Sequence, residues 1–409
     1  MKITRAYKTE LHLNNQQRTA CLKHAGAARF AYNWGLGKKI EAYKLGEKTP
    51  SAKDLHRELN LLKKGELSWL YEVSKCAPQE ALRNLDKAYA NFFRRVKTQK
   101  GKKAGFPQFK NKKGGAGSFR LTGAIRIEER LIQLPRLGKL RLKEAGYIPT
   151  SGMHVLSATV SEKAGRWYVS VQAEVELPDP SPKSDVVCGV DLGITRLATI
   201  SDGAVFENPK ALKRSLTKIK RLQRVVSRRK KGSANRKKAV QKLAKAHQKV
   251  ANIRNHSIHQ VTSFLAKTKS VVVLENLNVS GMMKNHRLAQ SISDVGMYEF
   301  RRQLQYKANW YGCKLHFADR FFPSSKTCSS CGTVAAKLSL SQRTFHCATC
   351  GFEIDRDLNA AINLSNLFFT TASSAGSHAC GEDVRPAFSQ ADLVEAGTKP
   401  QTTPVSMFV

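Results

Sequence analysis

Two cysteine pairs, Cys328-Ser329-Ser330-Cys331 and Cys347-Ala348-Thr349-Cys350, stand fifteen residues apart, and each is followed by a glycine, Gly332 or Gly351. Such spacing is a zinc pattern rather than a secreted disulfide framework, because tetrahedral Zn²⁺ takes four soft thiolates, two from each C-x-x-C turn. Four protein ligands leave no open coordination position, so the expected ion is one structural Zn²⁺ that orders a small loop. A set of reduced, unliganded thiols is the alternative. The other cysteines, Cys21, Cys76, Cys188, Cys313 and Cys380, are scattered singly.

Three carboxylates form the second constellation. Asp191 lies in Gly-Val-Asp-Leu-Gly, Glu275 in Val-Leu-Glu-Asn-Leu, and Asp357 in Asp-Arg-Asp-Leu-Asn-Ala-Ala. An acid at the end of an apolar strand loses hydration, and a divalent cation is the efficient compensator. Each acid taken singly also reads as a strand end or a helix cap. Asp355 is the expected cap before the helix that Asp357 opens, and Arg356 its exposed neighbour. Taken together, oxygen-only ligands on two strands and one helix suit two Mg²⁺ (or Mn²⁺) ions about 3.5–4 Å apart, the arrangement that drives in-line displacement at phosphorus. The chemistry so indicated is phosphodiester hydrolysis.

Positioning these groups requires a sizeable core. In 409 residues, 41% are hydrophobic, which supports two to four domains and excludes a wholly disordered chain. Against 31 Asp and Glu stand 70 Lys and Arg, a net charge of +39. That excess calls for a polyanion, and nucleic acid is favoured over an acidic membrane surface. No stretch is long and apolar enough for a membrane span, and Met1-Lys2-Ile3-Thr4-Arg5 lacks a secretory h-region, so the expected location is the cytoplasm, with no membrane partner.

The chain opens with strand-like alternation over 3–13, followed by an Asn14-Asn15 cap and a helix to about Leu45, ended by Gly46. Helices are expected over 52–64 and 79–97, then a basic, glycine-rich loop over 97–113 with Phe106 and Phe109. Short alternating runs at 125–127, 131–134, 155–160 and 167–175 indicate a small β domain. A proline-marked linker at 178–182 precedes a larger α/β unit, whose first strand runs into Asp191 and whose second is 271–275. Between them, residues 208–274 carry twenty Lys or Arg and no Asp or Glu. Val240, Leu243, Val250, Ile253, Val261 and Phe264 there keep near-heptad spacing, which predicts a helical hairpin turning at 231–233. A helix over 293–311 follows, and the tail after Phe368 reads as disordered.

The segments Gly189 to Gly193, Glu275-Asn276-Leu277 and Asp355 to Ala361 resemble the three parts of a RuvC-type nuclease domain, with the zinc ribbon between the second and third. Their order, with Asn285-His286-Arg287 to Asp294 and Phe321-Phe322-Pro323-Ser324-Ser325-Lys326-Thr327-Cys328, is similar to the transposon-encoded TnpB proteins, compact relatives of type V CRISPR effectors. The resemblance implies a multidomain α/β chain. Residues 1–13 and 115–180 would form a wedge-like β-barrel, interrupted by a helical recognition module at 14–114. An RNase H-like (RuvC) nuclease domain would follow at 181–367, with the ribbon at about 320–353 and a tail at 368–409. It further implies an RNA-guided DNA endonuclease that uses an omega RNA to cut double-stranded DNA beside a short adjacent motif; one chain or two per RNA is left open, with a monomer favoured.

Carried over, Asp191, Glu275 and Asp357 become the catalytic metal-binding triad. Cys328, Cys331, Cys347 and Cys350 become the ribbon. Lys75 and Gln79 become candidate contacts to the adjacent motif, with Pro78 a departure from the expected pattern. The hairpin tip Arg228-Arg229-Lys230-Lys231 and the pair His286-Arg287 are candidate phosphate contacts. The tip also reads as a nuclear-localisation run, His286 as a surface histidine, and Trp310 and Tyr311 as core. A catalytically silent RNA-guided DNA-binding protein, and a transposase or its accessory factor, are the competing functions.

Overall fold

Asn14 converts a strand into a helix. In the computed structural model, which describes residues 1–98, 105–112, 115–180, 186–339 and 341–376, β1 (Lys2–His12) leads into α1 (Asn15–Lys44). The turn is a capping box: Asn14 Oδ1 accepts the Gln17 N–H at 2.8 Å, and Gln17 Oε1 accepts the Asn14 N–H at 3.1 Å. Gly46, at φ 70°, follows the helix end. Ser51 and Asp54 form a second box at α2 (Ala52–Leu62), and a 3₁₀ turn (Ser68–Glu72) precedes α3 (Cys76–Thr98). α3 starts three residues earlier than its apolar spacing indicates. Pro78 falls in its first turn, where a missing N–H forfeits no helical bond.

β2 (Ser118–Leu121), β3 (Arg126–Ile127), β4 (Leu131–Leu134), β5 (Gly138–Leu142), β6 (Met153–Lys163) and β7 (Arg166–Glu176) join β1 in a seven-stranded sheet of order β2-β6-β7-β1-β5-β4-β3. Where a barrel is expected, β2 and β3 are unpaired with each other among the described residues, so the hydrogen-bonded sheet is open. β1 pairs with β7 from Lys2↔Glu176 to Leu11↔Trp167, which makes α1 to α3 an insertion into the sheet. Leu36, Leu82 and Leu85 of the helices share one core with Leu121, Val160 and Val171 of the strands.

The second sheet contains β8 (Val187–Asp191), β9 (Arg196–Ile200), β10 (Val205–Glu207), β11 (Val271–Glu275) and β12 (Lys314–Ala318), in the order β10-β9-β8-β11-β12. β8, β11 and β12 are parallel, and the interior pair β8 and β11, covered on both faces, carry continuous apolar runs. Val190, Val272 and Leu274 face α5 (Ala234–Thr268) and the later helix α8 (Met297–Tyr311). Val271 and Val273 pack with Leu364 of α9 (Arg356–Gly376).

α4 (Ala211–Arg228) and α5 form the hairpin, turning at 229–233. Its seam is thinner than the heptad spacing predicts: Ala211, Ile219 and Val250 are buried, whereas Val240 is 46% exposed. After α6 (Val279–Met282), the helix expected over 293–311 is two, α7 (Ala289–Val295) and α8, divided by Gly296 at φ 76°. Trp310 and Tyr311 are occupied by β1: the Arg5 guanidinium lies 5.0 Å from the Trp310 ring centroid and donates to Tyr311 Oη at 3.2 Å. β13 (Thr344–His346) and β14 (Glu353–Asp355) make a small hairpin before α9. α9 continues to Gly376 rather than ending near Phe368, and the expected disordered tail from 377 onward, parts of the 97–113 loop and the end of the 178–182 linker lie outside the described residues. Among the described residues no helix is long and apolar enough to cross a membrane.

Candidate functional site

Parallel pairing aligns Val190 with Leu274, so the next residues, Asp191 and Glu275, end adjacent strands side by side. α9 is laid against β8 by a missing side chain. A Cβ on Gly189 would stand 1.9 Å from the Ala361 carbonyl oxygen and 2.6 Å from the Ser365 nitrogen. This backbone-to-backbone approach brings the first turn of α9, and Asp357 with it, to the Asp191 end of the strand. Burial, then the charges of Glu275 and Asp357, push the Asp191 carboxyl up to about 8.

Asp355 caps α9, as its sequence position predicts: Oδ1 accepts the N–H groups of Asp357 and Leu358 at 3.0 and 3.1 Å. Its other oxygen takes Arg196 Nη1 at 2.9 Å. Arg356 is half-buried rather than exposed, and donates to the carbonyls of Ser339 and Gln342. Among the described residues no lysine or arginine forms an ion pair with Asp191, Glu275 or Asp357. Glu275 accepts a short hydrogen bond from the Ser324 hydroxyl. An all-oxygen donor set crowded with negative charge and without a directly paired cation fits divalent cations. Oxygens on one Mg²⁺ at about 2.1 Å stand at most about 4.2 Å apart. Among the described residues the cysteines are the one group of three or more whose ligand atoms all fall within 4.8 Å, so one cation does not hold all three acids in this geometry.

The four cysteines meet that requirement. Cys328 Sγ lies 3.7 Å from Cys350 Sγ, and Cys331 Sγ 3.6 Å from Cys347 Sγ. A tetrahedral ion at about 2.3 Å from each sulfur sets an edge of about 3.8 Å. The two turns are copies: the N–H of Gly332 bonds the Cys328 carbonyl and that of Gly351 the Cys347 carbonyl, each at 2.9 Å, with φ of 78° and 73°. The arrangement is that of a structural metal site.

Two asparagines splice this site to α9. Asn359 Nδ2 donates to the Thr327 carbonyl at 2.7 Å while its Oδ1 accepts the Ser329 N–H at 3.0 Å. Asn363 donates to the carbonyls of Ser324 and Thr327. Sequence reading missed both, along with Ser324 and Arg196.

The candidate nucleic-acid contacts occupy separate elements. Lys75, exposed, and Gln79, half-buried, sit at the start of α3; Arg228, Arg229, Lys230 and Lys231 are exposed at the hairpin tip; His286 and Arg287 are exposed between α6 and α7. A groove of about 630 Å³ lies instead along the middle of the hairpin, lined by Lys218, Arg221, Lys242, Lys245 and Lys249. It abuts the β6–β7 turn, where Gly165 meets Gln241. A second cleft, of about 420 Å³, adjoins Glu275 and holds Arg301, whose guanidinium lies 4.1 Å from the Phe317 ring centroid and donates to Asn276 Oδ1 at 3.1 Å.

Residues 158–286 match the OrfB_IS605 family, described as "Probable transposase", residues 298–364 a Cas12f1-like TNB domain, and residues 1–48 a "Helix-turn-helix domain". Residues 1–48 here form a strand and one long helix. The chain is 34% identical to "Putative RNA-guided DNA endonuclease InsQ" of Escherichia coli (strain K12), covering 94% of this chain and 96% of that one. To a protein of the same description from Streptomyces pristinaespiralis it is 36% identical, covering 94% and 93%. The solved Cas12f1–sgRNA–target DNA complex aligns at 16% identity and a TM-score of 0.35, over 89% of this chain and 99% of that one, too loosely for comparison of residues.

Proposed function

Because the chain belongs to the TnpB family, we propose that it is an RNA-guided DNA endonuclease, directed by an omega RNA to cut double-stranded DNA beside a short adjacent motif. The observation that carries the reading is that Asp191 and Glu275 end adjacent strands with the first turn of α9, and Asp357, laid against them, where burial and then the two neighbouring acids raise Asp191 to about 8. Residues 181–367 are then the RuvC-like, RNase H-like unit with a zinc ribbon at about 320–353. Residues 1–13 and 115–180 are the wedge, and 14–114 the recognition module.

Asp191, Glu275 and Asp357 would hold two Mg²⁺ or Mn²⁺ ions. When bound, such ions would supply an activated water and stabilise the departing 3′ oxygen, chemistry that would leave a 5′-phosphate end. The chain's own contribution is preorganisation. Parallel strands fix the first two acids, the Gly189 contact fixes α9, and Ser324 orients Glu275 through its hydroxyl. Cys328, Cys331, Cys347 and Cys350 would hold one structural Zn²⁺, and Asn359 and Asn363 transmit its order to the loop beside Glu275. The basic groove suits the guide's phosphate backbone, since fixed cations hold phosphates without reading sequence.

The test is the purified protein with its co-purifying RNA, Mg²⁺ and a randomised target library. Cutting at RNA-matched sites with 5′-phosphate ends is expected. RNA-dependent binding without cutting establishes the silent binder instead, and joined DNA ends establish a transposase.

A further inference from the structure

The loop from Asp319 to Ser324 leaves the sheet beside Glu275 and returns to it. Its first flank is Ala318, the register partner of Glu275 on β12. Its last residue, Ser324, hydrogen-bonds the Glu275 carboxylate. Between these anchors Phe321 is 87% exposed, more than any other large hydrophobic side chain among the described residues.

A lone exposed aromatic is ordinary. This one differs in how it is held and in its neighbours. Asp319 Oδ1 accepts the Phe321 N–H at 2.8 Å and the Asp319 carbonyl accepts the Phe322 N–H at 3.2 Å, so the backbone is pinned where the ring departs. Phe322 packs with Ala318 and Leu364, and Asn363 holds the Ser324 carbonyl at 2.8 Å. The loop is therefore ordered on both sides while one ring is kept in water. The preceding residue, Arg320, lines the cleft that contains Glu275 and Arg301, and among the described residues neither arginine has a carboxylate partner.

An ordered aromatic beside arginines that have no carboxylate partner matches the way single-stranded nucleic acid is held: phosphates on cations, a base on the ring. Bases inside a duplex are already stacked, so the ring selects an unpaired one. We propose that Phe321 is a stacking platform for an unpaired nucleobase of the DNA strand delivered to Glu275, with Arg320 and Arg301 holding the flanking phosphates. The assignment rests on the nuclease reading and adds a substrate-positioning residue to it.

The experiment uses the RNA-loaded protein with Phe321→Ala and Phe321→Trp, and target DNA carrying single abasic nucleotides scanned around the cut. At limiting DNA, Phe321→Ala should cut about tenfold more slowly, Phe321→Trp close to the parent, and thermal stability should be unchanged in both. One abasic position should slow the parent about tenfold and Phe321→Ala no further, because the two changes remove the same contact. Cutting by Phe321→Ala at the parental rate, or an abasic scan that slows both proteins alike, overturns the platform. A parent that fails to cut at all overturns the nuclease reading instead. The stack is then read separately in the Asp191→Ala complex with 2-aminopurine in the bound strand. Quenching that is lost on adding Phe321→Ala supports the platform, and identical fluorescence overturns it.

Discussion

Asn359 and Thr327 are joined by a 2.7 Å hydrogen bond, two residues beyond Asp357 on one side and one residue before Cys328 on the other. The same amide accepts the Ser329 N–H at 3.0 Å, and Asn359 is fully buried. Metal knuckle and acid-bearing helix therefore share one polar splice. An apolar replacement leaves the Ser329 N–H unsatisfied, at about 1–3 kcal/mol, while the Thr327 carbonyl keeps its bond from Asn363.

Asn359→Leu should therefore lower unfolding free energy by about 1–3 kcal/mol in urea titrations. Zinc should also leave faster to a chelator. Replacing Cys328 and Cys331 by serine should remove the zinc outright and slow DNA cutting without eliminating Asp191. Unchanged chelation kinetics in Asn359→Leu would show that the splice does not reach the metal.

Gly189→Ala and Asp191→Ala separate positioning from chemistry. The added methyl would meet the Ala361 carbonyl at 1.9 Å, backbone against backbone, so α9 must shift. Overpacking of this kind typically costs about 1–3 kcal/mol. Gly189→Ala should lose both stability and cutting. Asp191→Ala removes a carboxylate raised to about 8 by burial and like charge, so it should lose cutting while keeping stability and RNA binding. Calorimetry with a cleavage assay on both proteins distinguishes the pair, and an Asp191→Ala protein that still cuts sinks the assignment of this acid.

Legibility in the sequence followed range. Asn14, Asp355 and Gly46 act on neighbours within four residues, and each is found doing what its type predicts. Asp191 and Glu275 stood out because a carboxylate ending an apolar strand has no local reason to be there. The split at Gly296 was hidden because apolar periodicity continues across one left-handed residue. Ser324, Arg196 and Asn359 act on partners 49, 159 and 32 residues away, which no local pattern encodes. The short strands β9, β10 and β12 were unread because their pairing partners define them.

Lys307 supplies a pH signature. It is buried between α5 and α8, donating to the His259 carbonyl at 3.0 Å, Thr262 Oγ1 at 2.7 Å and Ser263 Oγ at 2.9 Å. Burial, then Lys267 and Arg5, lower its ammonium to about 8 from 10.5. Between those values the unfolded chain binds more protons than the folded one, so this group makes stability rise with pH. Lys307→Met removes that contribution. The stability of the parent relative to Lys307→Met should therefore increase from pH 7.5 to 10, measured by urea unfolding, and a constant difference would place the titration elsewhere.

The basic groove makes the sharpest electrostatic prediction. Lys218, Lys242 and Lys245 line it on both hairpin helices, and among the described residues none has an ion-pair partner. Each phosphate neutralised releases condensed counterions, which contributes about 0.7–0.9 to the slope of log affinity against log salt. Replacing all three by alanine should therefore flatten the slope for guide RNA by about 2–3, weakening binding uniformly across RNA sequences. The same three changes at Arg228, Arg229 and Lys230 test the hairpin tip. The groove runs along the middle of both helices and meets the β6–β7 turn, so it can hold a backbone over several phosphates, whereas the tip presents its charges at one end. A larger slope change from the tip than from the groove would reverse that assignment, and a salt slope near zero in the parent would remove phosphate binding from both.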